Sequence, residues 1–394
     1  MQTPLLRKTQ FLFAGQFVAL FAAGGIVLPF WPYWLGSQGF SANEVALVLA
    51  VCTAARVVLA PGISAIADAS GNRKRVLFLV ALAFLCGLVP FFNLSGFWSI
   101  LLLWTVVGTL FTTMIPMSDS LSVVATKQLG LDYGRARLWG SLSFIVVSTA
   151  AGWFLSGRSA DAVLWMLMLA AAVICCAVLL LPNLKTPTTT GKAAMAFAEA
   201  LRQPGFLGFL GVTSMLLASH AVLYGFGTLH WTAAGHSETV VGMLWAEGVI
   251  LEVLVFAFGG WLLRHLNITG LFLFAVVAGV IRWTVLGVTT DLVWLFLVQA
   301  LHAGTFAAAH LASVTFIGRS MPDHLGSTAQ GLFDACAMGI VFAVAMWGGG
   351  TLYDAFGGHA FWAMAAMSGI GGVLLLSQWG QLGRYQTATR FSRN

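Results

Sequence analysis

The chain of 394 residues is 59% hydrophobic and only 8% charged, whereas a soluble domain carries about 25% charged residues. A globular core of this size cannot bury so much apolar side chain, so the composition excludes a soluble protein and predicts that lipid surrounds most of the chain. A net charge of +6 also fits nucleic-acid binding, but the positions of the basic residues explain it by membrane topology.

Apolar stretches follow one another along the whole chain, each about long enough to span a bilayer at about 1.5 Å per residue. We therefore predict an all-α integral membrane protein with 12 transmembrane helices in two six-helix halves. The first stretch is too long for a signal-peptide core and is expected to stay in the protein. The five cysteines lie inside apolar stretches, so no disulfide framework is expected. The predicted helices run over about 10–35, 42–68, 76–92, 97–126, 134–157, 162–182, 205–232, 238–264, 270–288, 291–319, 325–353 and 359–379.

The lysines and arginines are distributed asymmetrically between the predicted loops. Only Arg158 lies on the opposite side from the majority, and Arg56 and Arg282 lie inside apolar stretches. Cytoplasmic loops carry such an excess of basic residues, so both termini are predicted to be cytoplasmic. The remaining sixteen, all in the tails or in alternate loops on that side, are Arg7, Lys8, Arg73, Lys74, Arg75, Lys127, Arg135, Arg137, Lys185, Lys192, Arg202, Arg264, Arg319, Arg384, Arg390 and Arg393.

The longest polar interval divides the predicted helices into two sets of six. It covers residues 183–204, which we interpret as a cytoplasmic linker between an N-terminal bundle, 1–182, and a C-terminal bundle, 205–379. Residues 380–394 form a predicted cytoplasmic tail. A weak echo between GLDYGRARLWGSL and HLGSTAQGLFD supports a repeat. Two such halves, with a binding site between them near the midplane, are typical of secondary transporters.

Five ionisable residues of the C-terminal half fall at two predicted depths. At about 1.5 Å per residue, Glu252, Arg282 and His302 share one layer, and His310 and Asp334 form a second. Desolvation favours a neutral carboxyl group and a nearby arginine favours a charged one, so movement of the arginine would switch the group between holding and releasing a proton. We predict that these residues couple transport to protons. The alternative is that they only hold helices together.

Two ionisable residues of the N-terminal half are candidates for substrate binding. Arg56 and Asp119 lie in the second and fourth predicted helices. They either pair with each other, or Asp119 meets Arg137 at the start of the fifth helix. If Arg56 faces the cavity, it is the natural counter-ion for an anionic substrate.

Aromatic residues cluster in LPFWPYWLG at the end of the first helix. Phe30 and Tyr33 are candidates for stacking on an aromatic substrate. Helix ends also carry aromatic residues at the membrane interface, and we assign Trp34 to such a belt.

The loop DASGNRKR between the second and third helices resembles the signature loop of the major facilitator superfamily. The resemblance implies that Asp68, Gly71, Arg73 and Lys74 form a gating loop, in which Gly71 permits a tight turn. LPFWPYWL, PMSDSL, GLDYGRARLWGSLSFI, ILEVLVFAF, VIRW and LHAGTFAAAHLA are together similar to the phenylpropionate permease family of proton symporters. A glutamate, an arginine and a histidine on helices 8, 9 and 10 also resemble lactose permease, which implies proton coupling through these residues.

The predicted function is therefore secondary active, proton-coupled symport of a small organic substrate, an aromatic carboxylate similar to 3-phenylpropionate, by alternating access. A proton-coupled efflux antiporter of the same fold is the alternative. The chain contains no HExxH, phosphate loop or serine-nucleophile motif, so it is not expected to be an enzyme. We expect a monomer in the bacterial inner membrane that needs no cofactor or metal beyond the proton gradient, and whose partners are substrate, protons and lipid, not nucleic acid.

Overall fold

The computed structural model describes residues 4–184 and 193–384, which form helices joined by short turns. The α-helices are α1 (Pro4–Ser37), α2 (Ala42–Ser70), α3 (Arg73–Leu88), α4 (Phe97–Leu129), α5 (Tyr133–Leu155), α6 (Ala162–Leu180), α7 (Ala193–Leu201), α8 (Phe206–Ala218), α9 (Ala221–Ala233), α10 (Glu238–Ala257), α11 (Gly259–His265), α12 (Asn267–Leu286), α13 (Leu292–Gln299), α14 (Ala309–Ser320), α15 (Gly326–Ala335), α16 (Val341–Phe356) and α17 (Phe361–Gly383). Short 3-10 helices cover Val89–Phe92, Asp323–Leu325 and Gly357–Ala360, and π-helical turns cover Ala303–Ala308 and Cys336–Ile340.

Within the described residues, 11 helical stretches are long and apolar enough to cross a membrane. The last of them, Gly326–Gly383, has 58 residues, whereas one crossing needs about 20. Because the 3-10 turn Gly357–Ala360 separates α16 from α17, this stretch supplies two crossings. The predicted all-α membrane fold is confirmed.

Polar side chains cap the N-terminal ends of several of these helices. The Asp132 carboxylate accepts a hydrogen bond from the Arg135 backbone N–H at 3.0 Å at the start of α5. The Asp291 carboxylate accepts one from the Val293 N–H at 3.0 Å at the start of α13. Such caps satisfy backbone donors that have no partner inside the helix.

The helices group into two compact units. The first unit takes in Met1–Thr190 and Gly227–Ala246, and the second takes in Gly191–Phe226 and Glu247–Asn394, as far as these residues are described. The predicted division at 183–204 stays a prediction, because residues 185–192 lie outside the described residues. Residues 385–394 of the predicted tail also lie outside them.

Aromatic residues form a buried cluster in the first unit. Trp31 stacks on Trp104 with ring centroids 3.7 Å apart, and Phe91 meets Trp31 edge to face at 5.2 Å. Trp34 is only 1% exposed, and its indole N–H donates to Asp161 Oδ1 at 3.1 Å. The assignment of Trp34 to an interfacial belt is therefore wrong, because packing between helices buries its ring.

The core of the second unit centres on Phe209 of α8. Its ring lies 4.5 Å from that of Phe316 and 5.8 Å from that of Phe333. Helix α7, which falls inside the predicted linker, belongs to the same core because its Ala200 is fully buried there. Close van der Waals packing of this kind fixes α12, which carries Arg282, against α8 and α14.

Candidate functional site

Arg282 lies in α12, and its side chain is completely buried. One terminal nitrogen, Nη2, donates to Gln299 Oε1 at 2.5 Å. The other, Nη1, donates to Thr305 Oγ1 at 2.8 Å and to His302 Nδ1 at 3.1 Å. All three acceptors are uncharged side chains on the segment that runs from the end of α13 through the π-helical turn Ala303–Ala308.

An aromatic ring also lies against this guanidinium. The central carbon of Arg282 lies 4.6 Å from the centroid of the Trp283 ring, and a cation over an indole face is stabilised when both are shielded from water. The buried charge is thus stabilised by hydrogen bonds and a ring face.

Glu252 reaches Arg282 through His302. Its Oε2 lies 3.6 Å from His302 Nε2, on the opposite side of the imidazole from the nitrogen that binds Arg282. The structure therefore brings together the three residues predicted to share one layer. We refer to Glu252, Arg282, Gln299, His302 and Thr305 as the Arg282 cluster.

Two glycines allow the helices of the Arg282 cluster to approach closely. A Cβ on Gly304 would lie 2.8 Å from Cβ of Ala278, one turn before Arg282. A Cβ on Gly248, one turn before Glu252, would lie 3.2 Å from the His302 ring. A methyl group on Gly304 would require a shift of its neighbours and one on Gly248 would be tightly packed, so glycine lets α10 and α12 lie close to the π-helical turn.

Exposure increases along the cluster from the arginine to the glutamate. Arg282 is 0% exposed, whereas the side chains of His302 and Glu252 are 9% and 24% exposed. Glu252 is therefore the most exposed of the three side chains, and Arg282 is the most deeply buried. The order Arg282, His302, Glu252 runs from the protein interior outward.

Sequence reasoning identified Arg282 by its charge and missed the uncharged residues that bind it. Gln299 and Thr305 are single polar residues in apolar runs, and polar residues of this kind often hydrogen-bond across helices. His220, in the break between α8 and α9, places its Nε2 3.0 Å from Thr305 Oγ1 and is also completely buried. For Gln299 and Thr305, the available signal was their position three residues before and three residues after His302, which puts them on one helix face.

The second predicted layer is arranged differently. The rings of His302, Phe306 and His310 stack in sequence, with centroids 5.3 Å and 5.9 Å apart. His310 also lies 5.9 Å from Phe333. Asp334, the next residue, is exposed and accepts a hydrogen bond from Gln330 at 3.2 Å.

In the first unit, the structure selects one of the two pairings left open for Asp119. Arg137 Nε lies 3.7 Å from Asp119 Oδ1, and the Tyr133 hydroxyl donates to the same oxygen at 3.1 Å. The Arg137 guanidinium also lies 3.9 Å from the centroid of the Phe21 ring. Arg56 is half-buried on α2, one turn after Cys52.

The two aromatic candidates of α1 have different surroundings. Phe30 is completely buried, and its ring packs on α5 next to Gly152. Tyr33 is half-buried, and its hydroxyl donates to Glu238 Oε1 at 3.1 Å. Tyr33 thus joins α1 to the start of α10 inside the first unit.

The predicted gating loop forms a tight turn between α2 and α3. Gly71 has a φ of 63°, which favours glycine because other residues are strained there. Arg73 donates to Ser120 Oγ at 2.7 Å, and Lys74 Nζ donates to the Leu179 carbonyl at 2.8 Å. The Asp68 side chain lies outside the described part of the structure.

No group of three or more His, Cys, Asp or Glu side chains could hold a metal ion in the part of the chain that is described. The five cysteines are all free thiols.

Known proteins resemble this chain over most of its length. A sequence profile of the MFS_1 like family matches residues 12–364. The "Probable 3-phenylpropionic acid transporter" of Escherichia coli strain K12 is 33% identical over 377 residues, which cover 92% of this chain and 96% of that protein. The maltose permease of Geobacillus stearothermophilus is 25% identical over 317 residues, which cover 77% and 78% of the two chains.

A solved structure has the same fold at low sequence identity. The crystal structure of a mutant of the nucleoside transporter NupG matches with a TM-score of 0.81 and 15% identity, over 95% of this chain and 99% of that one. These relatives are transporters, not enzymes, and transporters of this class need no cofactor. The chain is a multi-pass membrane transporter and belongs to the MFS_1 like family.

Proposed function

We propose that the protein is a secondary active transporter that carries a small aromatic carboxylate together with a proton by alternating access. The name of the Escherichia coli relative supports the substrate class. The Arg282 cluster supports the proton coupling, because it places an ionisable carboxyl group next to the histidine that binds a buried arginine, inside a membrane-spanning unit.

The observation that carries this proposal is that His302 lies between Glu252 and Arg282, so that the carboxylate does not bind the guanidinium directly. Removing the partner of a directly paired buried charge leaves that charge uncompensated. Arg282 instead donates to Gln299, Thr305 and His302, all of which are neutral when the imidazole accepts at Nδ1. Glu252 can therefore gain or lose a proton without removing any hydrogen bond of Arg282, as a reversible proton carrier requires.

External pH tests the proposal directly. Adding 3-phenylpropionate to lightly buffered, de-energised cells that express the protein should raise the external pH transiently, because protons enter with the acid. Glu252→Gln should abolish this signal and preserve counterflow exchange of the substrate. Glu44→Gln is the matched control, because Glu44 caps the start of α2 through Ser41. An unchanged signal in Glu252→Gln contradicts the coupling role, and drug tolerance without any pH change with aromatic acids points to the efflux antiporter.

The substrate carboxylate is assigned to Arg56, with Asp119, Phe30 and Tyr33 as further substrate-binding candidates. Arg56 is half-buried within an apolar helix, and a bidentate arginine–carboxylate contact is strong there. Arg56→Gln should raise KM for the acid about tenfold, as expected for loss of one charged hydrogen bond, while Arg158→Gln should not. An unchanged KM in Arg56→Gln moves the assignment to Arg137.

The same proposal places both termini in the cytoplasm of a bacterial cell, with the inner membrane as its location and a monomer as its working form. The excess of basic residues on one predicted side supports this orientation. Fusion of a reporter that folds only in the cytoplasm to either end should give active reporter. Activity only in a periplasmic reporter contradicts the orientation.

A further inference from the structure

His220 occupies an unusual position, because it lies between two helices and yet is completely buried. Helix α8 ends at Ala218 and α9 begins at Ala221, so Ser219 and His220 form the break between them. Ser219 Oγ accepts a hydrogen bond from the Trp283 indole N–H at 3.1 Å. The break therefore places Ser219 against Trp283 of α12, and the His220 ring meets the same indole edge to face with centroids 5.1 Å apart.

The hydrogen-bond partners of His220 fix the position of its ring proton. Nδ1 lies 3.0 Å from the Leu217 carbonyl oxygen, which can only accept, so Nδ1 carries the proton. Nε2 lies 3.0 Å from Thr305 Oγ1. A second proton on Nε2 would create another buried cation near Arg282, which the low dielectric disfavours. Nε2 therefore accepts from the Thr305 hydroxyl.

The same reasoning fixes the direction of every hydrogen bond from Arg282 outward. An arginine can only donate, so Thr305 Oγ1 and His302 Nδ1 both accept from Nη1. His302 is then neutral and carries its ring proton on Nε2, the nitrogen that faces Glu252. These hydrogen bonds connect Leu217, His220, Thr305, Arg282 and His302 in that order.

We propose that His220 is a positioning residue for proton coupling: as a neutral imidazole it orients the Thr305 hydroxyl, which holds Arg282 against His302 and thereby presents the His302 Nε2–H to Glu252. His220 itself carries no transported proton. This inference rests on the proposed proton coupling at Glu252 and adds the residue that orders the cluster behind it.

Two substitutions at His220 separate positioning from proton transfer. Glutamine offers a carbonyl oxygen to Thr305 and an amide N–H to Leu217 and cannot be protonated near neutral pH. His220→Gln should keep proton-driven accumulation within about twofold, whereas His220→Leu should lower it about tenfold, as expected for one lost buried hydrogen bond. Equal loss in His220→Gln and His220→Leu, in protein that reaches the membrane in normal amounts, overturns the proposal in favour of proton transfer by His220.

Thr305 supplies an independent check if His220→Leu does not fold. Thr305→Val removes the hydroxyl and its hydrogen bonds with both His220 and Arg282, so its loss should be at least as large, whereas Thr305→Ser keeps the hydroxyl and should show no such loss. In the double variant His220→Leu with Thr305→Val, the loss should be no greater than in Thr305→Val alone, because Thr305→Val already removes the hydroxyl through which His220 acts. Additive losses contradict the proposal.

Nitrogen NMR of the full-length protein in lipid bilayers shows which ring nitrogen of His220 carries the proton, and it needs no transport assay. With 15N-labelled histidine, the signal that disappears in His220→Gln should show a neutral ring protonated at Nδ1 between about pH 6 and 8. A doubly protonated ring, or a proton at Nε2, overturns the proposal. If Glu252→Gln still couples protons, the proposed function fails even where this NMR result holds, so the two failures are distinguishable.

Discussion

The two units each contain an arginine next to an aromatic ring, together with an acid, but they connect the arginine and the acid differently. In the first unit, Arg137 contacts Asp119 directly at 3.7 Å, and both side chains are about one-third exposed, at 30% and 33%. In the second unit, Arg282 is 0% exposed, and Glu252 is separated from it by His302.

This difference shows how a membrane protein can stabilise a buried arginine and still allow a nearby acid to gain and lose a proton. Neutralising Asp119 removes the acidic partner of Arg137. Neutralising Glu252 leaves all hydrogen bonds of Arg282 in place, because Gln299, Thr305 and His302 provide them. A buried charge is costly when its partner is lost, so only the second arrangement suits an acid that changes its protonation in each cycle.

The largest expected effect is the loss of accumulation in Glu252→Gln. Without an exchangeable proton at this position, the internal concentration of substrate should fall to the external concentration, since the proton gradient no longer drives uptake. Radiolabelled uptake in energised cells measures it, and exchange of internal for external substrate serves as the internal control. Accumulation at the wild-type level would show that Glu252 is no more necessary for proton coupling than Asp119 is expected to be.

Replacing each arginine by lysine compares the two sites in stability. Lysine is a point charge and cannot span Gln299, Thr305 and His302 at once, so Arg282→Lys should lower the free energy of unfolding by about 3 kcal/mol or more. Arg137→Lys should cost about 1 kcal/mol or less, because exposed ion pairs contribute little. Thermal unfolding of the purified variants in one detergent measures both. Equal losses would show that burial does not distinguish the sites.

Asp119→Asn tests the first unit on its own. The expected cost in unfolding free energy is about 1 kcal/mol or less, since the pair with Arg137 is about one-third exposed. Proton uptake per substrate should stay at the wild-type value. If Asp119→Asn abolishes substrate-induced proton movement, coupling is not confined to the Arg282 cluster.

The smallest effect is expected for Tyr33→Phe, which removes only the hydrogen bond to Glu238. The loss in unfolding free energy should be about 1 kcal/mol, with unchanged proton coupling. Trp98→Phe is a suitable control, because Trp98 is an exposed aromatic residue of the same unit. A loss of proton coupling in Tyr33→Phe would show that the hydrogen bond between Tyr33 and Glu238 contributes to coupling, and that coupling is not confined to the second unit.

Apolar length predicts the membrane helices well, because a span is a local property of the sequence. The predicted stretch 291–319, for example, matches the span Leu292–Ser320. The sequence does not reveal the π-helical turn Ala303–Ala308 inside that span, nor the close packing of Gly304 in that turn against Ala278.

Depth along each helix was enough to group Glu252, Arg282 and His302, but it has no angular information. It therefore left two partners open for Asp119, and it assigned Trp34 to an interface although packing buries its ring. Thr305 and His220 were missed for the same reason, since their roles depend on contacts between helices distant in sequence. The roles proposed for the site residues stay predictions.

Proton movement in proteoliposomes is the most direct test of the central claim that Glu252 accepts the coupling proton. Purified wild-type protein, Glu252→Gln and the control Glu44→Gln are reconstituted with a pH-sensitive dye inside, and 3-phenylpropionate is added outside without an imposed gradient. The interior should acidify with the wild type and Glu44→Gln and should not with Glu252→Gln, while all three exchange substrate. Acidification by Glu252→Gln at the wild-type rate would contradict the claim.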